Sequence, residues 1–553
     1  MSTVPLHVHL EATARRRPAT PIHFPDEDES LTAADLATRS ASAAAGLDAH
    51  GVRPGDRVGI LAPNAPEFLV ALFACSRVGA AAAPLSLPMG ADVVDWAVRL
   101  RGVLAAGGIE RVVVSHRLAD RVTPALADGP LLIDDRDLER ADVAAPVRTV
   151  DVDAPVVVQF TSGSTARPKG VVLTHANVGH CLRAIATAID LRDDDVHGAW
   201  LPLFHDMGLF GALTAILHGN PAHLWSPAGF VRRPARWLAA FAASGATICA
   251  MPNFGYDTLV ATVDAEQAAR LDLSHWRIAF DGAEAVSATA SAAFLERFTP
   301  AGLRPGVLMP AYGMAEVTLA ATLPPPGRPL RVEHVDRALA AGTGEAVPVA
   351  PDDPDARALV GLGSPVPGLE LRIADDDGPR PDGGIGEIQL RGPMATRGYL
   401  AGTAGDTELY TADGWLRSGD LGYLRDGELF FTGRRKEMVT VAGRNLYPAD
   451  VEDLVRDLPG VHRGRCVALT GTDDDGRERI ELVVETADPR DPTTTALVET
   501  LRARVAAALG ALPLVVLPVP PRTIPRTTSG KVRRLDTRDR VAALGRPVPG
   551  ASA

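Results

Sequence analysis

Lysine is nearly missing from this chain: of 56 lysine and arginine residues only Lys169, Lys436 and Lys531 are lysines. An ammonium is a compact, rotatable point charge, whereas a guanidinium is a planar fork suited to bidentate partners. Three positions that keep lysine in so arginine-rich a chain are therefore candidates for chemistry at a point charge. Cysteine is scarce as well. Cys75, Cys181, Cys249 and Cys466 are far apart, with neither zinc-ligand spacing nor a disulfide framework, and read as core thiols. Excess positive charge is absent: 56 basic residues against 68 acidic ones give a net charge of −12. That excludes a broad cationic face for nucleic acid, while a local patch can still hold a small anion. No apolar run is long and charge-free enough for a membrane span or a signal core; the most apolar stretch, Phe68 to Pro88, contains Arg77 and a run of alanines. A soluble cytoplasmic protein is the expectation. The GxSxG elbow of serine hydrolases is also missing, so His205 and Asp206, although adjacent, do not read as a hydrolase dyad.

What is present is size and core. The 553 residues, 46% hydrophobic, exceed what one core holds and suggest roughly three to four domain-sized units. Short β-branched runs such as RVGIL at Arg57 to Leu61 and RVVVS at Arg111 to Ser115 alternate with helical patterns, which predicts an α/β fold with mixed sheets. No repeat of fixed period occurs. YLRDGELFF, Tyr423 to Phe431, sets Asp-Gly between two apolar arms and predicts a hairpin. After the charged GRRKEM the texture changes. PADVEDLVRDLPG places Val451, Leu454, Val455 and Leu458 on one helical face with Pro448 in the first turn. Strand-like CVALTG and IELVVET follow, then a helix striped with Leu497, Leu501, Val505 and Leu509 and stopped by Gly510, then a strand at LVVL. The expected division is a large multi-subdomain body over residues 1–432 and a small, mobile α+β C-terminal domain over 433–553.

The chemistry begins at VVVQFTSGSTARPKGVVLTH, Val156 to His175. A buried-looking strand enters a loop of Thr161, Ser162, Gly163, Ser164 and Thr165, reaches Lys169 and leaves on a second apolar run. Glycine lets backbone approach a ligand, hydroxyls and N–H groups can ring a phosphate, and Lys169 adds point charge. The loop is not a Walker motif, because Pro168 precedes Lys169 and Gly170 follows it. A flexible Ser/Gly turn is the plainer alternative for such a loop.

With this loop in place, the chain resembles the adenylate-forming superfamily of acyl-CoA synthetases, peptide-synthetase adenylation domains and fatty acyl-AMP ligases. The resemblance rests on TSGSTARPKG, FDGAEAV at Phe280 to Val286, AYGMAEVT at Ala311 to Thr318, GWLRSGDLGYL at Gly414 to Leu424, GRRKEMVTVAGRNLYPADVE at Gly433 to Glu452, and RTTSGKVRR at Arg526 to Arg534. WLPLFHDMGLFG, WSPAGFVRRPARWL, PNFGYD and RNLYP resemble the fatty acyl-AMP ligases in particular.

The resemblance implies ATP and Mg²⁺. Residue by residue, it implies that Gly282, Ala283 and Glu284 line the adenine side, that Tyr312 stacks on the base beside Gly313 and Met314, and that Glu316 holds Mg²⁺. Asp420 then accepts the ribose hydroxyls with Arg434 assisting, Lys169 meets the β- and γ-phosphates, and Lys436 is the hinge. Lys531 reaches the substrate carboxylate and the α-phosphate, where a single rotatable ammonium serves two oxygens on different molecules. His205, Phe204, Met207, Met251, Asn253 and Phe254 are expected at the acyl pocket.

The implied reaction is in-line attack of a carboxylate on ATP to give acyl-AMP and pyrophosphate, then transfer to a thiol. For the ligases that thiol is the phosphopantetheine arm of an acyl carrier protein; for a synthetase it is CoA. A catalytically silent nucleotide-binding scaffold is a third reading, opposed by intact Glu316, Asp420 and Lys531. Ala315, RNLYPADVE and the polar, Pro-rich stretch Pro324 to Gly363 resemble the ligases, whose insertion there is thought to restrain domain rotation. Three departures stand out: Ala166 replaces the usual glycine after SGST, Asp281 stands where asparagine is common, and Met251 is expected to narrow the acyl tunnel.

Overall fold

The structure is a computed structural model that describes residues 4–88, 93–139, 148–161, 169–401, 409–441, 444–472, 478–510, 512–525 and 532–544. Two largely parallel sheets make the body. The first runs in the order 131–134, 111–114, 57–61, 81–84, 155–161, 169–174, and only the final pair is antiparallel. The second runs 308–310, 278–281, 248–251, 197–199, 222–224, 21–24, 29–32, again antiparallel only at its last pair. RVGIL and RVVV are central strands of the first sheet, with side chains buried on both faces, as parallel strands require.

The helix Asp206–His218 packs against the first sheet's apolar cluster and is buried nearly all round, from Met207 to Leu217 with little interruption. A helix with no polar face can only be interior. Its first turn passes so close to the preceding loop that a Cβ on Gly208 would lie 2.2 Å from the Pro202 carbonyl oxygen, which restricts that position to glycine.

A five-stranded antiparallel sheet, in the order 378–379, 370–375, 386–391, 416–425, 428–434, follows the parallel sheets. The expected hairpin is its edge pair, with Asp426 and Gly427 at φ 54° and 75°, the positive values a two-residue turn of this hand needs. The Pro-rich stretch contributes a separate antiparallel pair, Val332–Asp336 with Ala356–Val360, and a short helix, Arg337–Gly342. Its Val335, Ala346 and Leu359 pack on Tyr423 and Phe430 of the hairpin.

Strand pairing of the body sheet runs through Arg434. From Val439 onward the described strands pair only with one another: Val439–Val441 with Arg444–Leu446, and Cys466–Thr472, Glu478–Glu485 and Leu514–Val519 in one sheet. The helices Pro448–Val455 and Pro492–Leu509 cover that sheet and share an apolar cluster with it, so a small C-terminal domain carries its own core. All four cysteines are free and buried, and burial pushes the thiols of Cys75 and Cys181 up to about 12, which makes them inert. Among the described residues no helix is long and apolar enough to cross a membrane.

Candidate active site

A cavity of about 1930 Å³ opens where the carboxyl ends of both parallel sheets meet the antiparallel sheet and the C-terminal elements. Open α/β sheets hold ligands in this crevice, because strand ends release backbone into loops there. Lys169 starts the strand Lys169–Thr174 and lines the cavity with Thr161, Glu316, Arg434 and Lys436. Two of the three lysines therefore share one chamber. Ser162, Gly163, Ser164 and Thr165 of the loop, Ala166, and Lys531 lie outside the described residues. The residues flanking Lys531's segment, Pro525 and Val532, both line the cavity, as does Arg533.

The phosphate side is electrically unbalanced. Burial lowers the pKa of Lys169; Glu316 opposes that shift, and the positive charges of Lys436 and Arg434 add to it. Cations close enough to disfavour one another's charge are relieved by an anion seated among them. Glu316 is 7% exposed, and its Oε1 accepts a 2.7 Å hydrogen bond from the Tyr399 hydroxyl. That hydroxyl in turn accepts from Lys169 Nζ at 3.3 Å, with the ammonium 4.7 Å from the ring centroid. Tyr399 thus ties the expected metal ligand to the expected phosphate ligand. Sequence reasoning missed it; its one local signal is an aromatic side chain, among only six tyrosines, placed directly after an Arg-Gly turn.

The side expected to hold the base and ribose is built from turns. Tyr312 is buried and donates to Asp420 Oδ2 at 3.0 Å, while Arg434 Nε meets Asp420 Oδ1 at 3.2 Å. These two contacts fix the carboxylate at the cavity wall, where it is able to accept hydroxyl groups. Gly313 is obligatory, since a Cβ there would sit 1.9 Å from the Leu319 carbonyl oxygen. Ala283 is held at φ 67°, a left-handed conformation that costs a non-glycine residue of order 1 kcal/mol and marks the tight approach after strand Ile278–Asp281. Gly282, Ala283, Tyr312, Gly313, Met314 and Asp420 all line the cavity. Glu284 does not: its Oε1 accepts from the Phe254 backbone N–H at 2.9 Å and props the turn from behind.

A profile of the AMP-binding enzyme family matches residues 10–400. The chain belongs to that family. FadD26 of Mycobacterium marinum, a long-chain-fatty-acid AMP ligase, is 33% identical over 572 aligned residues, covering 95% of this chain and 95% of its own. A Caulobacter vibrioides protein provisionally designated an acyl-CoA synthetase is 32% identical over 513 residues, covering 92% of this chain and 89% of its own. A solved structure from a study of fatty acyl-adenylate ligases of E. coli and L. pneumophila superposes with a TM-score of 0.89 at 31% identity, covering 98% of this chain and 99% of that one. The fold is thus that of the adenylate-forming enzymes, with a large N-terminal body and a small C-terminal domain.

In this AMP-binding enzyme the part of the cleft expected to take the acyl chain follows the buried helix. Phe204, His205 and Met207 line it. His205 caps the helix Asp206–His218, and its Nδ1 lies 2.5 Å from Asp206 Oδ1 but 3.4 Å from the Met207 N–H. The closer contact, to Asp206, orients the ring at the cavity wall. Met251, Asn253 and Phe254 do not line the cleft. Met251 is 0% exposed and packs on Gly255 with Trp276 and Tyr256 nearby, because successive strand residues face opposite sides and Ala250 takes the cavity face. The expectation that Met251 narrows the tunnel is therefore corrected. Asn253 instead donates to the Ala285 carbonyl at 2.9 Å and accepts from Ser287 N–H at 3.2 Å, holding the FDGAEAV turn in place.

Asp281 is buried, its Oδ1 has no hydrogen-bond partner among the described residues, and burial together with Glu284 and Asp257 raises its pKa well above the ordinary carboxylate value.

Proposed function

We propose that this protein activates a carboxylic acid with ATP, forming acyl-AMP and pyrophosphate, and passes the acyl group to the phosphopantetheine thiol of an acyl carrier protein. The observation that carries this reading is one continuous cleft with two chemically opposite parts. A cation cluster of Lys169, Arg434 and Lys436 with Glu316 stands in one part, and a largely apolar wall along helix Asp206–His218, with Phe204, Met207 and Ala215, lines another. A charged nucleotide and an acyl chain need that combination in one space. The names of FadD26 and of the structurally similar fatty acyl-adenylate ligases support the same reading.

In the proposed mechanism the triphosphate spans the loop 161–169, with Lys169 on the outer phosphates, the base rests against Tyr312, and the ribose bonds Asp420. A carboxylate entering past His205 attacks the α-phosphate in line. Positioning and charge neutralisation carry most of the barrier reduction. Lys531 bridges the incoming carboxylate and the α-phosphate as charge moves onto the leaving pyrophosphate. Glu316 is a suitable magnesium ligand, since Mg²⁺ typically takes one or two carboxylates plus substrate phosphates and waters; when bound, the ion neutralises phosphate charge. After adenylation, residues 433–553 turn about Lys436 and admit the thiol.

The choice of carrier protein over CoA is supported by the Pro-rich stretch. Arg357 of strand Ala356–Val360 pairs with Asp450 at 2.7 Å and lies over the Tyr447 ring at 5.1 Å, both at the start of the first C-terminal helix. A pin beside the hinge limits how far that helix travels. The Caulobacter relative's designation favours the alternative, transfer to CoA. One reaction containing ATP, mixed acids, CoA and a holo carrier protein, followed by mass spectrometry, tests both. Acyl carrier protein as the main product is expected; robust acyl-CoA overturns the proposal, and absence of acid-dependent pyrophosphate release overturns the adenylation itself.

A further inference from the structure

The part of the cleft along helix Asp206–His218 carries polar groups that a plain hydrocarbon tail does not call for. His197 opens the strand His197–Ala199, and its backbone pairs with Ala222 on one side and Ile248 on the other. Its imidazole lies in the cavity wall and the residue is only 6% exposed. Among the described residues no hydrogen bond reaches either ring nitrogen. The ring stands beside Gly211 on the cavity wall: a Cβ there would lie in ordinary contact, 3.6 Å, with both Cε1 and Nε2, so glycine leaves that face of the ring uncovered by a side chain. Thr214 lines the same wall; its hydroxyl donates to the Phe210 carbonyl at 2.7 Å and keeps its lone pairs. Asn220, 3% exposed and also lining the cavity, donates its amide to the Arg192 and Asp195 carbonyls at 2.7 and 3.1 Å.

An unpartnered polar group in such a place costs about 1–3 kcal/mol unless a ligand satisfies it. We infer that the acid accepted here carries a hydroxyl far along its chain, and that His197 is the specificity-determining residue that hydrogen-bonds it. The inference rests on the acyl-adenylating reading of the cleft. A neutral imidazole offers one donor and one acceptor, and a hydroxyl answers both, whereas a carboxylate answers only the donor. Burial keeps the ring neutral, its pKa pushed down to about 4. From Asp206 to Thr214 the helix advances ~12 Å at ~1.5 Å per residue. An extended chain covers about 3.5 Å in three bonds, so the polar groups lie roughly ten bonds from the carboxylate.

The test compares pyrophosphate release for hexanoic acid, dodecanoic acid and dodecanoic acids hydroxylated at carbons 8 to 12, using the full chain and ATP. Wild-type enzyme is expected to favour at least one hydroxylated acid over dodecanoic acid by about tenfold or more in kcat/KM. The variant His197→Leu loses or reverses that preference, His197→Gln retains part of it, and hexanoic acid, too short to reach, is turned over equally by all three. Gly211→Val fills the space beside the ring and abolishes use of the twelve-carbon acids alone. Equal wild-type kcat/KM for the plain and hydroxylated acids, or a preference that survives His197→Leu, overturns the inference while leaving adenylation intact. Failure of every acid instead overturns the reading on which it rests.

Discussion

Truncating Arg357 gives the sharpest test of how this enzyme chooses its thiol. Its guanidinium bonds Asp450 Oδ1 at 2.7 Å and the Thr432 carbonyl at 2.7 Å, and covers the Tyr447 ring. Asp450 is 3% exposed on its side chain, so Arg357→Ala leaves a carboxylate that water cannot reach. Breaking a buried pair in this way costs about 3–5 kcal/mol. The low end applies, because Arg337 also faces Asp450 and compensates part of the charge, its own pKa being lowered by burial and raised again by that carboxylate. About 3 kcal/mol lost only in the seated arrangement raises the released fraction of the C-terminal domain by roughly two powers of ten, at 1.36 kcal/mol each. Acyl-CoA formation, followed by mass spectrometry with saturating CoA, is expected to rise about a hundredfold, while acyl-AMP formation changes less than about threefold. Arg357→Lys keeps charge without the fork and falls between the two. Faster amide exchange in helix Pro448–Val455 accompanies the release. If the folded variant makes normal acyl-AMP and shows that faster exchange, yet its CoA transfer stays at the wild-type level, rotation is not what excludes CoA and the argument fails.

Lys531→Ala is expected to reduce acyl-AMP formation by about 10²–10³ while leaving ATP binding within a few fold; adenylation at the wild-type rate removes Lys531 from the mechanism. Tyr399→Phe deletes the bonds to Glu316 and Lys169 and is expected to raise the KM for ATP by about tenfold, with an unchanged value refuting the link. Asp281→Asn is expected to raise thermal stability, and more so as pH rises. Its folded pKa lies above the unfolded carboxylate value, so the native state binds the extra proton and stability falls with pH between those two values, at up to about 1.4 kcal/mol per pH unit. Identical melting curves for both proteins from pH 5 to 8 contradict that account. Met251→Ala is expected to cost about 2–5 kcal/mol in stability without lengthening the acids accepted, and a shift to longer chains would restore Met251 to the tunnel.

The parts of this site that were legible in the sequence are those whose chemistry is local. The hairpin around Asp426 and Gly427, the antiparallel pairing of Thr161 with Lys169, and the turn at Gly282 and Ala283 each encode their geometry within a few neighbouring residues. What was not legible depends on facing. ICAM, Ile248 to Met251, is apolar throughout, so no alternation says whether Ala250 or Met251 meets the cavity, and a one-residue change of face reverses the answer. Tyr399 and Glu316 are 83 residues apart, and Arg357 and Asp450 are joined across two domains, so no spacing reveals either pair.

His197 shows how a face is decided once neighbours are known. A Cβ on the next residue, Gly198, would lie 2.6 Å from Phe241 and 2.9 Å from the Ala246 methyl, so that position must turn its bare side to the aromatic cluster. Alternation then sends His197 the opposite way, into the cavity. The strand cannot slip by one residue to bury the imidazole instead, because Phe241 leaves no room for a ring. The polar part of the cleft wall is therefore set by a glycine that never touches it, and Gly198→Ala should strain the strand and disturb selection among twelve-carbon acids before it affects hexanoic acid.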